Sequence, residues 1–315
     1  GGIDGARKAD IAAQASGIAF TCDPLNGRFD RLVVHAQWGL GESLVAGQAA
    51  GDEYVFAENA ASEWQLLERR AGSKKTMSVA LAAGGTASQA VSPERAAAYV
   101  LATGEAEQLA NLLYDAAIAL DFVSPFYDLE WAWDGQRFWV TQARPVTARP
   151  YRSYDALRGQ PVIWTRGNTC EVMPEPLSPC DWAFSRWGVN SLLEQGWKLC
   201  GYPLLPGVQR AGLFGGRLYL EASILQWEAW DAIGLPPAHL NALMGGHQPA
   251  IAVPPISWRQ RLLRLGRMLR YLVLAPGMRR RGLAAIARVH AAARLGRQTA
   301  LPGDAKGLHR LLREQ

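Results

Sequence analysis

Residues Asp128 to Thr147 read DLEWAWDGQRFWVTQARPVT, and this stretch limits the fold most tightly. Aromatic, β-branched and polar residues alternate on both sides of Asp134-Gly135, the pattern of two strands joined by a tight turn. Yet the run spends Asp128, Glu130, Gln142 and Arg144 on groups that bind cations and anions. Successive side chains on a strand face opposite ways, so Asp128 pairs in facing with Glu130, and Gln142 with Arg144. With Asp134-Gly135 as a two-residue loop, odd positions oppose even ones and the two pairs fall on opposite faces. A three-residue loop with Gly135 in the left-handed position of a G1 bulge brings all four to one face. We expect this second arrangement, with Trp131, Trp133 and Trp139 together on the other face.

Two carboxylates and an amide oxygen are hard ligands of the kind Mg²⁺ takes alongside phosphate oxygens. The Arg144 guanidinium adds a planar cationic fork for phosphate. An ordinary amphipathic hairpin with an Asp–Arg pair on its wet side fits the same residues, and the spacing alone leaves both readings open.

The chain has 315 residues, comfortable for two domains, and 49% hydrophobic residues give ample core. Cys22, Cys170, Cys180 and Cys200 are scattered without a C-x-x-C pair, which argues against a disulfide framework or zinc site and fits a reducing cytoplasm. No run approaches the roughly 20 apolar residues that span a bilayer, and no leader pattern opens the chain. We therefore expect a cytoplasmic protein with neither membrane nor nucleic acid as partner.

The net charge of +5 is unevenly placed, since residues 251–315 hold 14 Lys or Arg against 2 acids. Within them WRQRLLRLGRMLRYLVL sets Leu262, Leu265, Met268, Leu269 and Leu272 at helical spacings, which predicts an amphipathic helix with a solvated arginine face.

Up to Val146 the pattern is mixed α/β. RLVVHA and EYVFA read as strands, and Ser92-Pro93 opens one Ala/Leu-rich helix running to about Phe122. The Pro/Arg/Gly-containing run after Arg144 is a connector. We place a first domain at 1–148, a linker at 149–160 and a mainly helical second domain at 161–315.

Four stretches in order resemble the ATP-binding domain shared by pyruvate phosphate dikinase, phosphoenolpyruvate synthase and rifampicin phosphotransferase, which is of the ATP-grasp class. They are SGIAFTCDPLNG (16–27), WGLGESLVAG (38–47), GSKK (72–75), and DLEW with QARP. The resemblance implies an α/β fold, the C-terminal half of an ATP-grasp domain. It implies ATP and Mg²⁺ as cofactors, with Asp128, Glu130 and Gln142 on Mg-nucleotide, Arg144 on phosphate as the catalytic cation, and Gly39 and Gly41 near the nucleotide.

Taken as residues, Gly39, Gly41 and Gly47 suit either a close approach to ligand or plain turn chemistry. Glu42 is expected to cap a helix starting at Ser43 rather than to reach the phosphates. Lys74 and Lys75 are expected in a solvated turn, outside the site.

The sequence departs from the family at Gly51-Asp52, where Pro-Asp is usual, and at Phe126-Tyr127, where Pro-Gln is usual. The amino-terminal half of the ATP-grasp domain has no counterpart, so the chain is expected to be a piece of a longer protein and inactive by itself. VIWTRGNTCEVMPEPLSP (162–179) resembles the opening of the middle domain in rifampicin-phosphotransferase-like proteins, through Trp164, Asn168, Glu171, Pro174, Ser178 and Pro179. GGRLYLEAS follows, with Glu221 where Asn is usual. From the residues alone, Asn168 and Glu171 are expected to satisfy backbone groups in a proline-rich loop.

His35 is expected in a packed core, and His239, His247, His290 and His309 lack the Gly/Ser/Thr-rich setting of a phosphohistidine carrier. The expected function is ATP-dependent phosphoryl transfer to a small-molecule acceptor, pyruvate or a hydroxyl on a polycyclic compound, through a phosphohistidine domain that this chain does not contain. The alternative is a non-catalytic or partner-dependent module with a basic helical end.

Overall fold

The residues ASGIAF form β1 (Ala15–Phe20), an inner strand of a six-stranded antiparallel sheet in the computed structural model. The structure describes residues 11–41, 51–59, 63–81, 84–147 and 150–298; Glu42, Gly47, the helix start at Ser43 and His309 lie outside them. Beside β1 run β2 (Arg31–Trp38) and β7 (Tyr127–Trp133), both antiparallel to it. Outward from β2 come β3 (Asp52–Glu58) and β4 (Trp64–Arg70), and outside β7 comes β8 (Phe138–Pro145). A separate hairpin joins β5 (Thr76–Ala80) and β6 (Thr86–Ala90).

One face of the sheet is apolar and carries the core. Ala15 and Ala19, Leu32, Val34 and Ala36, Tyr54 and Phe56, and Leu129 and Trp131 all point into it at two-residue intervals. Helix α2 (Thr103–Leu120) covers that face with Ala106, Leu109, Ala110, Leu113, Tyr114 and Ala117, a stripe at three- and four-residue steps. Gly17 admits no side chain, because an added Cβ would lie 1.8 Å from the His35 carbonyl oxygen and 2.9 Å from the Trp131 indole.

The single helix expected from Ser92 to Phe122 is two. Helix α1 (Pro93–Ala97) starts as foreseen, with the Ser92 hydroxyl capping the Arg95 amide, but ends after five residues. The chain then extends because buried acceptors compete for its amides. Val100 N–H donates to Asp52 Oδ2 (2.7 Å) and Leu101 N–H to the Tyr54 hydroxyl (2.9 Å).

Beyond the connector, β9 (Trp164–Thr165), β10 (Ala211–Phe214) and β11 (Arg217–Glu221) make a small sheet among helices. These are α3 (Thr169–Val172), α4 (Pro179–Cys200), α5 (Ala222–Ile233), α6 (Pro237–Met244) and the 41-residue α7 (Trp258–Gln298). Ser178 and Asp181 form a capping box at the start of α4. Buried Glu221 caps α5 through the Ile224 amide, and its carboxyl is pushed up by that burial.

The two halves touch. Phe122 and Val123 pack into the helical half's core, and Arg186 of α4 pairs with Glu58 at 2.5 Å and hydrogen-bonds the Tyr114 hydroxyl.

Helix α7 keeps most of its arginines in solvent as expected, Arg259, Arg261 and Arg270 among them, but its leucines do not form a buried face. Leu262, Leu265, Met268, Leu269 and Leu272 are exposed, while Arg264 is buried. Arg264 and Arg267 donate to the Asp231 carbonyl, and Arg270 donates to the Leu199 carbonyl. These carbonyls are in the last turns of α5 and α4, whose partial negative charge recruits guanidinium groups. Trp230 and Tyr202 stack beneath Arg264 and Arg267 and shield their stems.

Candidate functional site

The face of the sheet away from α2 carries the polar groups. Register across β7 and β8 sets Asp128 opposite Arg144 and Glu130 opposite Gln142, so the four project together. The route differs from the expected G1 bulge at the turn. Near the turn Trp133 opposes Phe138 and Trp131 opposes Val140, which closes a four-residue loop from Asp134 to Arg137. Left alone, that register would send Gln142 and Arg144 to the core side. The ladder slips between Glu130 and Trp131, where Thr141 is the extra residue, and the slip returns both to the polar face.

The same shift corrects the place of Trp139. It opposes Ala132 and so shares the polar face, while Phe138 takes the core side against Trp131 and Trp133. The Trp139 indole N–H donates to Asp134 Oδ2 at 2.7 Å, and Arg137 stacks on the ring. Asp134 also accepts the Gln136 and Arg137 amides, and these bonds, the indole's foremost, hold its carboxyl down at about 2.

Within the quartet, Arg144 Nη2 lies 3.7 Å from Glu130 Oε1, and the Arg144 side chain is 56% exposed. Asp128 Oδ1 is buried without a hydrogen-bond partner. Burial raises the Asp128 carboxyl above its ordinary range; Arg144 opposes the shift and Glu130 adds to it. A buried carboxylate oxygen lacking a donor, beside a second carboxylate and an amide, fits a hard cation. Among the described residues no three His, Cys, Asp or Glu side chains cluster as a protein-only metal site. The arrangement thus suits a metal that takes its remaining ligands from phosphate and water, as Mg²⁺ does.

His35 is half-buried on this face and not in the core, because Leu32, Val34 and Ala36 take the inward positions of β2. Glu53, His35, Ile18, Glu130 and Gln142 register strand by strand into one row across the sheet. Burial lowers the His35 pKa, with Glu53 pulling the other way.

Of the two lysines expected in a solvated turn, only Lys75 is exposed. Lys74 is buried and paired with buried Asp52, which also accepts the Gly72 and Val100 amides. The GSKK step therefore pins α1 and α2 to β3 on the core side. Asp52 and Lys74 were unreadable as a pair because 22 residues separate them.

Gly39 has φ of +73°, and a Cβ there would lie 2.3 Å from the Ser78 carbonyl oxygen, so close packing on β5 requires glycine. Gly41 follows at the edge of the polar face, over Ser16.

An antiparallel sheet backed by helices on one side, with acids, amide and guanidinium grouped on the other, is consistent with an ATP-grasp-like unit. Residues 8–158, just under half of the chain, match the pyruvate phosphate dikinase AMP/ATP-binding domain, so this part of the chain is similar to that family. It is 31% identical over 137 residues, 44% of this chain, to a probable phosphoenolpyruvate synthase of Methanocaldococcus jannaschii. A rifampicin phosphotransferase of a Streptomyces species is 29% identical over 216 residues, 68% of the chain. The prodigiosin synthesizing transferase PigC of Serratia marcescens is 27% identical over 187 residues, 56% of the chain. The matches span 11%, 22% and 20% of those three relatives' own lengths.

Proposed function

We propose that this chain supplies the metal-and-phosphate side of an ATP site in a phosphotransferase. The observation that carries the reading is the quartet on one face, with Asp128 Oδ1 buried there and lacking a hydrogen-bond donor. Asp128, Glu130 and the Gln142 oxygen would hold Mg²⁺, which neutralises charge on a phosphoryl group as it is displaced. Arg144 orients the phosphate from the opposite strand, and its exposure leaves it free to follow the group. Gly39 and Gly41 shape the adjoining loop. In this reading residues 1–148 are the nucleotide unit and 161–315 the acceptor unit, with 149–160 between them.

The acceptor unit favours a large apolar acceptor over pyruvate. A cavity of about 680 Å³ lies among α4, α6 and α7, lined by Leu192, Leu193, Trp197, Leu240, Met268 and Leu272. That volume suits a drug-sized molecule. Its lining includes Asn168 and no charged side chain, whereas a small carboxylate such as pyruvate needs a cation or several donors. Two of the relatives are named for rifampicin and for prodigiosin synthesis and not for pyruvate.

Titration calorimetry of the chain with ATP, with and without Mg²⁺, tests the nucleotide reading. With Arg144 56% exposed and its charge screened by water, the site should give a Kd between high micromolar and millimolar, about 4–6 kcal/mol. Binding that is equal with and without Mg²⁺ would overturn it.

A further inference from the structure

Ser16 and Gln37 face each other across β1 and β2, and both are 3% exposed. Each donates to a carbonyl of the glycine loop that follows β2. Ser16 Oγ donates to the Gly39 oxygen and Gln37 Nε2 to the Leu40 oxygen, both at 2.6 Å. The amides of the same two residues are held from other sides. Gly39 N–H donates to the Gln14 carbonyl (3.0 Å) and Leu40 N–H to the Ser78 carbonyl (2.8 Å). Every backbone polar group of Gly39 and Leu40 is thus committed to the protein.

The placement bears on the site. Ser16 lies two residues from Ile18, the cross-strand partner of Glu130, and so points to the polar face one step along from the acid-and-amide row. A phosphate site is harmed by carbonyl oxygens turned toward it, because their partial negative charge repels the anion. Two buried donors on adjacent strands draw those oxygens onto the sheet instead.

We propose that Ser16 and Gln37 are positioning residues for nucleotide binding. They fix Gly39 and Leu40 where the chain leaves β2 and hold those two carbonyl oxygens off the phosphates. The inference rests on the nucleotide reading above, and neither side chain is required to touch the nucleotide.

The experiment uses Ser16→Ala and Gln37→Leu in the described chain, with hydrogen exchange at the Leu40 amide and calorimetry with Mg·ATP. In each variant Leu40 exchange should quicken by about tenfold, the loss of one buried hydrogen bond. Mg·ATP affinity should weaken by about three- to tenfold while the near-ultraviolet circular dichroism stays native. Affinity in the double variant should differ from the sum of the singles, since both act on one loop. Glu130→Ala should weaken Mg·ATP binding without altering Leu40 exchange.

Unchanged Leu40 exchange in both variants would overturn the clamp. Faster exchange with unaltered affinity would show that the loop is held but has no part in binding, which overturns the inference and leaves the nucleotide reading standing. Failure of the wild-type chain to bind Mg·ATP overturns the nucleotide reading and the inference with it, whereas the exchange result stands by itself.

Discussion

Glu130 and Gln142 stand directly opposite each other across β7 and β8, one residue beyond the point where the register slips. A slip of one residue turns every later side chain to the other face. Deleting Thr141, the extra residue, should restore regular pairing with Gln142 still opposite Glu130 and Arg144 still opposite Asp128, so Mg-dependent ATP binding should survive. The melting temperature should not fall for want of polar satisfaction, since no member of the quartet changes face. Calorimetry with parallel thermal melts checks both, and loss of Mg-dependent binding would show that Thr141 does more than take up the extra position in β8.

The members of the quartet should fail in different ways. Glu130→Ala removes one carboxylate and should abolish the Mg²⁺ dependence of ATP binding. Arg144→Ala should weaken ATP, ADP and tripolyphosphate alike, because the guanidinium meets phosphate and not base. At 56% exposure its ion pair with Glu130 adds little to stability, so the melting temperature should move by less than about 1 kcal/mol equivalent. A loss confined to adenine nucleotides would remove Arg144 from the phosphate role.

Asp128 gives the pH dependence. Its folded-state pKa is raised above the ordinary 3.8, so the folded chain binds this proton more tightly than the unfolded one. Its contribution to stability is therefore full below the unfolded value and lost as pH rises through the folded value. Metal binding needs the carboxylate and runs the other way, so Mg·ATP affinity should climb with pH across that same window above 3.8. Asp134, held down at about 2, is already ionised there and adds nothing to the slope. Asp128→Asn should flatten the affinity profile, and an unchanged slope in that variant would assign the titration elsewhere.

Much of this was legible from the chain because it rests on short-range pattern. The strand of SGIAFT, the Ser92 cap and the two-residue alternation of DLEW depend on neighbours a few positions away. The shared face of the quartet was also reached, though by the wrong bulge, since a residue inserted at Thr141 leaves no mark in a run of strand-forming residues. What stayed hidden depends on partners far along the chain. Asp52 reaches Val100 and Lys74, breaking one helix and burying a lysine, and no local signal ties those positions together. His35 was misplaced for a simpler reason, because it lies among apolar residues that alternate past it.

The core over the back of the hairpin should be costly to cut. Leu109 and Trp131 are essentially fully buried in one cluster beneath the sheet. Leu109→Ala should cost about 2–5 kcal/mol and Trp131→Ala about 3–5 kcal/mol in chemical denaturation. Values under 1 kcal/mol would mean that α2 does not seal the sheet as described.

Helix α7 offers the sharpest contrast between pattern and packing. Its leucine stripe invites the expectation that leucines are inside, whereas Arg267 donates to the Asp231 and Ala232 carbonyls and stacks on Tyr202. Arg267→Ala should therefore destabilise the helical half by about 1–2 kcal/mol, from a charged hydrogen bond and a favourable charge at a helix end. Leu269→Gln, at a position 55% exposed, should change stability by no more than about 0.5 kcal/mol. Equilibrium urea unfolding of the two variants beside the wild type measures both. The opposite ranking, with leucine costly and arginine neutral, would show that α7 turns its other face to the protein.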